Sequence, residues 1–201
     1  MTVFSRLWLW GAISFSRDEA LITPVIEHSR AAARPAQALL WAVDGFKAYV
    51  KAIVKVFRDP LSTGKPGRPR LIVWEELHIV QVVKERVGRR LVSISRRLAH
   101  GSLARAEELM QRTQVECGPI NTAYIERLNA TLRTWMPALV RRTRTPAGAR
   151  ERLEAALFWT GCVYNFCHEH ATVEGTPALA ADLTDHVWSI DELLRYRCRR
   201  E

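Results

Sequence analysis

No apolar run in this sequence approaches the roughly 20 residues needed to cross a bilayer. Met1 to Phe15 is apolar, but Arg6 interrupts it, Arg17-Asp18-Glu19 follows at once, and no small-residue cleavage site ends it. It therefore reads as a strand and not as a signal peptide. The expectation is a cytoplasmic protein with no membrane partner. Cysteine is sparse, with Cys117, Cys162, Cys167 and Cys198 the whole complement, and without an export signal these thiols are expected to stay reduced. Cys162 and Cys167 lie close to His168 and His170, but a five-residue step turns about 140° around a helix and no second pair accompanies them. Buried thiols and a polar helix end are expected there in preference to zinc. Acids are also in deficit, 21 against 30 Lys and Arg, for a formal net charge of +9. Such an excess favours a polyanionic partner, although solubility alone would also account for it. Internal repeats and low-complexity tracts are absent, so a single domain with a sizeable core is the expectation for all 201 residues.

What is present alternates between strand and helix patterns. Arg6–Ser14 (RLWLWGAIS) suits a strand, and 17–34 a helix with Leu21, Ile22, Val25 and Ile26 on one side. The short run Leu39–Val43 (LLWAV) reads as a buried strand that delivers Asp44 at its C-terminal end, where open α/β sheets place ligands. A helix follows, with Phe46, Tyr49, Val50, Ile53, Val54 and Phe57 on its apolar face, and stops near Asp59-Pro60. Residues 62–70 (STGKPGRPR) form a Gly/Pro loop carrying Lys65, Arg68 and Arg70. This loop resembles minor-groove hooks built around Gly-Arg-Pro, without the Arg that usually precedes the Gly; as a hook or as a solvated linker it would favour phosphate contacts.

Strands are expected over 71–74, 77–84 and 90–99, the last two joined as a hairpin. Helices are expected over 102–112, over a segment containing Glu126, and from 149 to about 168. Two short helices should begin at Thr176-Pro177 and Ser189-Ile190-Asp191-Glu192, both of which look like caps.

The segment Ile120–Arg133 (INTAYIERLNATLR) places one carboxylate on a basic and polar helix face. Ile125, Leu128, Leu132 and Leu139 recur at helical spacing, and Glu126, Asn129 and Arg133 share the neighbouring stripe. Asp44 and Glu126 lie far apart in sequence, and two carboxylates brought together by folding have two uses, holding Mg²⁺ or exchanging protons. The basic surroundings favour the first, because a metal-bridged phosphodiester needs acids at the metal and cations along its backbone. Without such a site, Asp44 would be a turn residue before Gly45, and Glu126 would pair with Arg127 or Arg133.

INTAYIERLNATLR followed by MPALVRRTR resembles the region around the catalytic Glu in DDE transposases of short prokaryotic insertion sequences. Three further segments are similar to the same family in the same order: RLWLWGAIS, LLWAVDGFKAYVKA, and VYNFCHEH followed by TPALAADLTDHVWSIDELL. Together they run from about Arg6 to Arg197. The resemblance implies an α/β, RNase H-like mixed sheet flanked by helices, with Asp44 as the second acid and Glu126 as the third. Two Mg²⁺ or Mn²⁺ ions would sit between the acids and drive strand cleavage and transfer as one in-line displacement with different nucleophiles. Asn129 and Arg133 would orient Glu126 or touch DNA, and Arg141, Arg142 and Arg144 would grip the backbone, unless they form only a solvated basic face. DNA, at transposon ends and target, is the implied partner, with a homo-oligomer forming on it.

The sequence departs from the family at its start. Members carry the first Asp on a strand preceding RLWLWGAIS, with a DNA-binding segment before that, whereas only Met1 to Ser5 precede the match here. Asp18 follows the matching strand and does not replace the first acid. The expectation is a truncated or late-started transposase, inactive alone and with a hydrogen-bonding gap in its sheet. The alternative is a non-catalytic basic DNA-binding fragment of one, and a general nuclease ranks third.

Overall fold

Successive residues of the first strand, β1 (Leu39–Asp44), are apolar on both faces, and a strand of that kind needs cover on both sides. The computed structural model describes residues 1–62, 64, 67–113, 119–140, 143–146 and 148–197. In it β1 runs parallel to β4 (Leu77–Val87), in register from Leu39 opposite Leu77 to Asp44 opposite Val82. β4 pairs antiparallel with β5 (Arg90–His100), which makes a mixed three-stranded sheet in the order β1-β4-β5. Among the described strands, β1 has a partner only on its β4 side.

Helices cover both faces. Leu39, Trp41 and Val43 join Leu77 and Ile79 in a core completed by Ile22 and Ile26 of α1 (Glu19–Ala31) and by Ala52, Ile53 and Val56 of α2 (Lys47–Val56). Leu40 and Ala42 point the other way, joining Val80 and Val82 against Ala106 and Met110 of α3 (Leu103–Thr113), with Ile120 beside them. The period of two along β1 and β4 thus divides one sheet between two cores. Asp18 caps α1, its carboxylate accepting the Leu21 N–H at 3.0 Å.

A second, two-stranded sheet was not anticipated. β2 (Arg58–Pro60) pairs antiparallel with β3 (Leu71–Val73), so the expected end of a helix at Asp59-Pro60 is instead a short strand. Asp59 holds it: its carboxylate accepts the Trp74 indole N–H at 2.7 Å and the Arg30 guanidinium, while Trp74 packs edge-on against Phe57 with centroids 4.9 Å apart. A three-residue ladder is too short to announce itself by periodicity.

The chain divides into two compact units, Ser14–Thr122, which holds all the elements above, and Met1–Ile13 with Ala123–Glu201. The latter contains α4 (Ala123–Trp135), a 3₁₀ turn at Pro137–Leu139, α5 (Arg150–Phe166) and α6 (Ile190–Arg195). Its core gathers Trp8, Leu128, Leu132, Met136, Leu157 and Tyr164. No helix among the described residues is long and apolar enough to cross a membrane.

Two expectations for this unit are corrected. Arg6–Ser14 is not a strand: the Trp8 N–H and C=O, which a neighbouring strand would satisfy, are both taken by the Asn165 amide, at 2.9 Å to Oδ1 and 2.8 Å from Nδ2. Thr176 does act as a cap, its hydroxyl accepting the Leu179 N–H at 3.3 Å, but the chain leaves the helical path at Asp182, φ +55°, and no helix forms there. The second short helix is α6, capped by Ser189 as its sequence indicates.

Replacing Asn165 by Asp keeps the acceptor for the Trp8 N–H and leaves its buried carbonyl without a donor. The expected cost is about 1–3 kcal/mol, read as a lowered thermal midpoint.

In the other unit His78 is buried, and its Nδ1 accepts the Ser102 N–H at 3.1 Å. Burial lowers its pKa below 6.5; nearby Arg105 and His100 add to this and Glu76 opposes it. The folded state binds this proton less tightly than the unfolded chain, so its contribution is present above the ordinary pKa and drains away as pH falls below it. Urea midpoints should therefore drop from pH ~7 towards ~5, with a smaller drop in His78→Gln.

Candidate functional site

The β1–α2 junction is built around Asp44. The strand ends there, and the Oδ1 atom accepts the Phe46 N–H at 3.0 Å, turning the chain over Gly45 into α2. Where Gly45 passes the sheet, an added Cβ would lie 3.4 Å from a Val83 methyl. The other oxygen, Oδ2, accepts from the Arg17 guanidinium at 2.5 Å. Arg17 also lies over the Phe46 ring, 4.5 Å from its centroid, and 6.0 Å from the centroid of Tyr49. Partial burial alone would lower the Arg17 pKa, but the hydrogen bond and charge of Asp44 outweigh it and raise it. The pair is open to water, with side chains 56% and 48% exposed, so it is held by geometry more than by energy. Arg17 is the residue that sequence reasoning missed, since nothing in the local pattern marks a partner 27 positions away.

Glu126 stands on the exposed side of α4. Leu128 and Leu132 anchor the opposite side in the core, and Glu126, Asn129 and Arg133 share one exposed stripe as their spacing requires. Ile125, expected in the core, is 36% exposed, while its neighbour Tyr124 is half-buried with its ring under the Arg6 guanidinium at 3.3 Å. Glu126 falls in the first helical turn, where its charge meets the positive end of the helix dipole. Asp44 and Glu126 belong to different units.

The other predicted cations that the structure describes are placed on loops. Residues 62–70 connect β2 to β3, and the Leu61 N–H donates to the Arg70 carbonyl at 2.8 Å where the loop closes. Gly64 and Gly67 adopt φ +66° and +122° with nothing within 4 Å of an added Cβ, and Arg68 and Arg70 are exposed. Arg144 is exposed in a turn whose Thr143 hydroxyl accepts the Thr145 N–H at 3.1 Å. Lys65, Arg141 and Arg142 lie outside the described residues, as do Cys117 and Cys198.

The expected Mg²⁺ or Mn²⁺ pair does not fit the donors as they stand. A hard cation needs carboxylate oxygens without a competing cation, and both oxygens of Asp44 are committed, one to an amide and one to Arg17. Among the described residues, no group of three or more His, Cys, Asp or Glu side chains is arranged to hold a metal ion. Cys162 and Cys167 are partly buried and form no disulfide. His168 and His170 lie in an aromatic group with Tyr164, and His168 packs edge-on to Trp135 at 4.8 Å.

Comparison with protein-family models, with curated proteins and with solved structures finds no match.

The exposure of the Arg17–Asp44 pair sets its strength. A double-mutant cycle with Arg17→Ala and Asp44→Asn should give a coupling below about 1 kcal/mol in urea unfolding.

Proposed function

We propose that this chain is a DNA-binding protein of the DDE transposase lineage, built on an RNase H-like sheet, that does not cleave DNA by itself. The observation that carries the reading is the state of Asp44. It stands at the carboxyl end of a parallel strand, where α/β sheets place their ligands, yet Arg17 and the Phe46 amide occupy its oxygens. A strand-end acid so placed agrees with the lineage that the ordered sequence resemblances imply. With those oxygens engaged in this arrangement, binding is the activity the site supports as it stands, and a metal would first have to displace the weak, exposed Arg17 pair.

The cations account for the binding. Arg68 and Arg70 on the β2–β3 loop, Arg133 on the α4 stripe and Arg144 in its turn are all exposed and available to phosphates. Contacts of this kind release counterions and fix register without reading sequence. Asn129, beside Arg133 on the same stripe, adds a neutral donor and acceptor.

The test is a supercoiled-plasmid assay with Mg²⁺ or Mn²⁺, run beside fluorescence anisotropy on a labelled duplex. The expected result is binding without nicking above background. Asp44→Asn and Glu126→Gln should bind at least as well as the parent, whereas Arg133→Gln with Arg144→Gln should flatten the salt dependence by roughly 2 in log–log slope. Metal-dependent nicking by the parent that disappears in Asp44→Asn would overturn the reading.

A further inference from the structure

On the α1/α2 face of the sheet the helices cover β1 and part of β4, while Gln81 and its cross-strand partner Arg97 of β5 lie on the edge of an open groove. The groove has a volume of about 710 Å³ and is lined by Lys47, Val50, Lys51, Val54, Lys55, Arg58, Gln81 and Arg97. Lys47, Lys51 and Lys55 recur every fourth residue, which sets them in one row along α2 spanning about 12 Å. Val50 and Val54 lie between them, and Arg58 and Arg97 extend the positive charge. Five of the eight lining residues are cationic and none is acidic.

We propose that this groove binds the phosphate backbone of duplex DNA. A row of this length suits a polymeric anion, because a single phosphate group would be met by a compact cluster and would leave the remaining cations unused. The lining contains no aromatic ring on which an unpaired base could stack, and stacking platforms are what single-strand sites add to their charge. Gln81 is the one neutral polar group, so the site supplies charge with almost no means of reading bases.

One carboxylate competes for these cations. Glu19 of α1 pairs with Lys51 at 2.8 Å and Lys55 at 3.2 Å, both lysines being more than half exposed. Exposed pairs of this sort are weak enough for a phosphate to replace. Glu19 thus holds two of the lysines in position at rest and sets a modest threshold for the incoming backbone.

The inference deepens the DNA-binding reading and rests on it for the identity of the polyanion. It is tested with the full chain by anisotropy on a fluorescein-labelled duplex of mixed sequence, on the corresponding single strand, and with heparin as a competing non-nucleic polyanion. The Lys47→Gln, Lys51→Gln, Lys55→Gln variant should lose on the order of tenfold in duplex affinity and show a salt slope shallower by about 3. Glu19→Gln should tighten binding roughly two- to fivefold, an effect that a destabilised fold would not produce. If the parent binds duplex and both variants bind as it does, the groove is overturned while the DNA-binding reading stands. If the parent binds no duplex at any salt, both fall. Preference for the single strand, or retention by heparin alone, also overturns the proposal.

Discussion

The parallel ladder between β1 and β4 is the constraint on which the sheet-bearing unit depends. Each strand sends alternate side chains into different cores, so the ladder fixes at once where α1 and α2 lie and where α3 lies. A slip of one residue would exchange Trp41 with Ala42 and send every large side chain to the face shaped for its neighbour. The same register brings Asp44 to the last rung, so the position of that carboxylate follows from apolar packing and not from any contact of its own.

Charge is organised around a shortage of acids. In the sheet-bearing unit several carboxylates serve two partners: Asp59 the Trp74 indole and Arg30, Glu19 two lysines, Glu108 both Arg105 and Arg112, and Asp44 an amide and Arg17. Each such acid neutralises charge where the chain needs local order, and much of the surplus of lysine and arginine is left on the loops and at Lys47 and Arg97. The distribution of positive charge over this unit is thus set by where its few acids lie.

Much of this was legible in the sequence. The run LLWAV followed by Asp-Gly marked β1 and its acid, the paired apolar runs around Gly88 marked the β4–β5 hairpin, and the 3.6-residue period located α1, α2, α4 and α5 to within a few residues. What was not legible depended on distant partners. RLWLWGAIS has the composition of a strand, but a strand exists only where another offers its edge, and here a side-chain amide supplies the bonds. Arg17 acquires its meaning only from Asp44. The lysine row on α2 stands in plain i, i+4, i+8 spacing, but that spacing is equally the solvated face of an amphipathic helix, and only the groove beside it distinguishes the two. The mixed α/β sheet flanked by helices agrees with the fold class expected, and the RNase H-like topology within it belongs to the proposal.

The bond between Trp8 and Asn165 joins positions 157 residues apart. Closing so long a loop from a disordered chain costs on the order of 4–5 kcal/mol of conformational entropy, an amount that cancels most of what two hydrogen bonds and one buried indole ring return. The cost falls if the intervening sheet-bearing unit has already condensed, because a folded body shortens the path the ends must search. Loop closure thus favours an order of assembly in which the inserted unit forms from its own contacts and the split one, with halves on either side of it in sequence, closes after it.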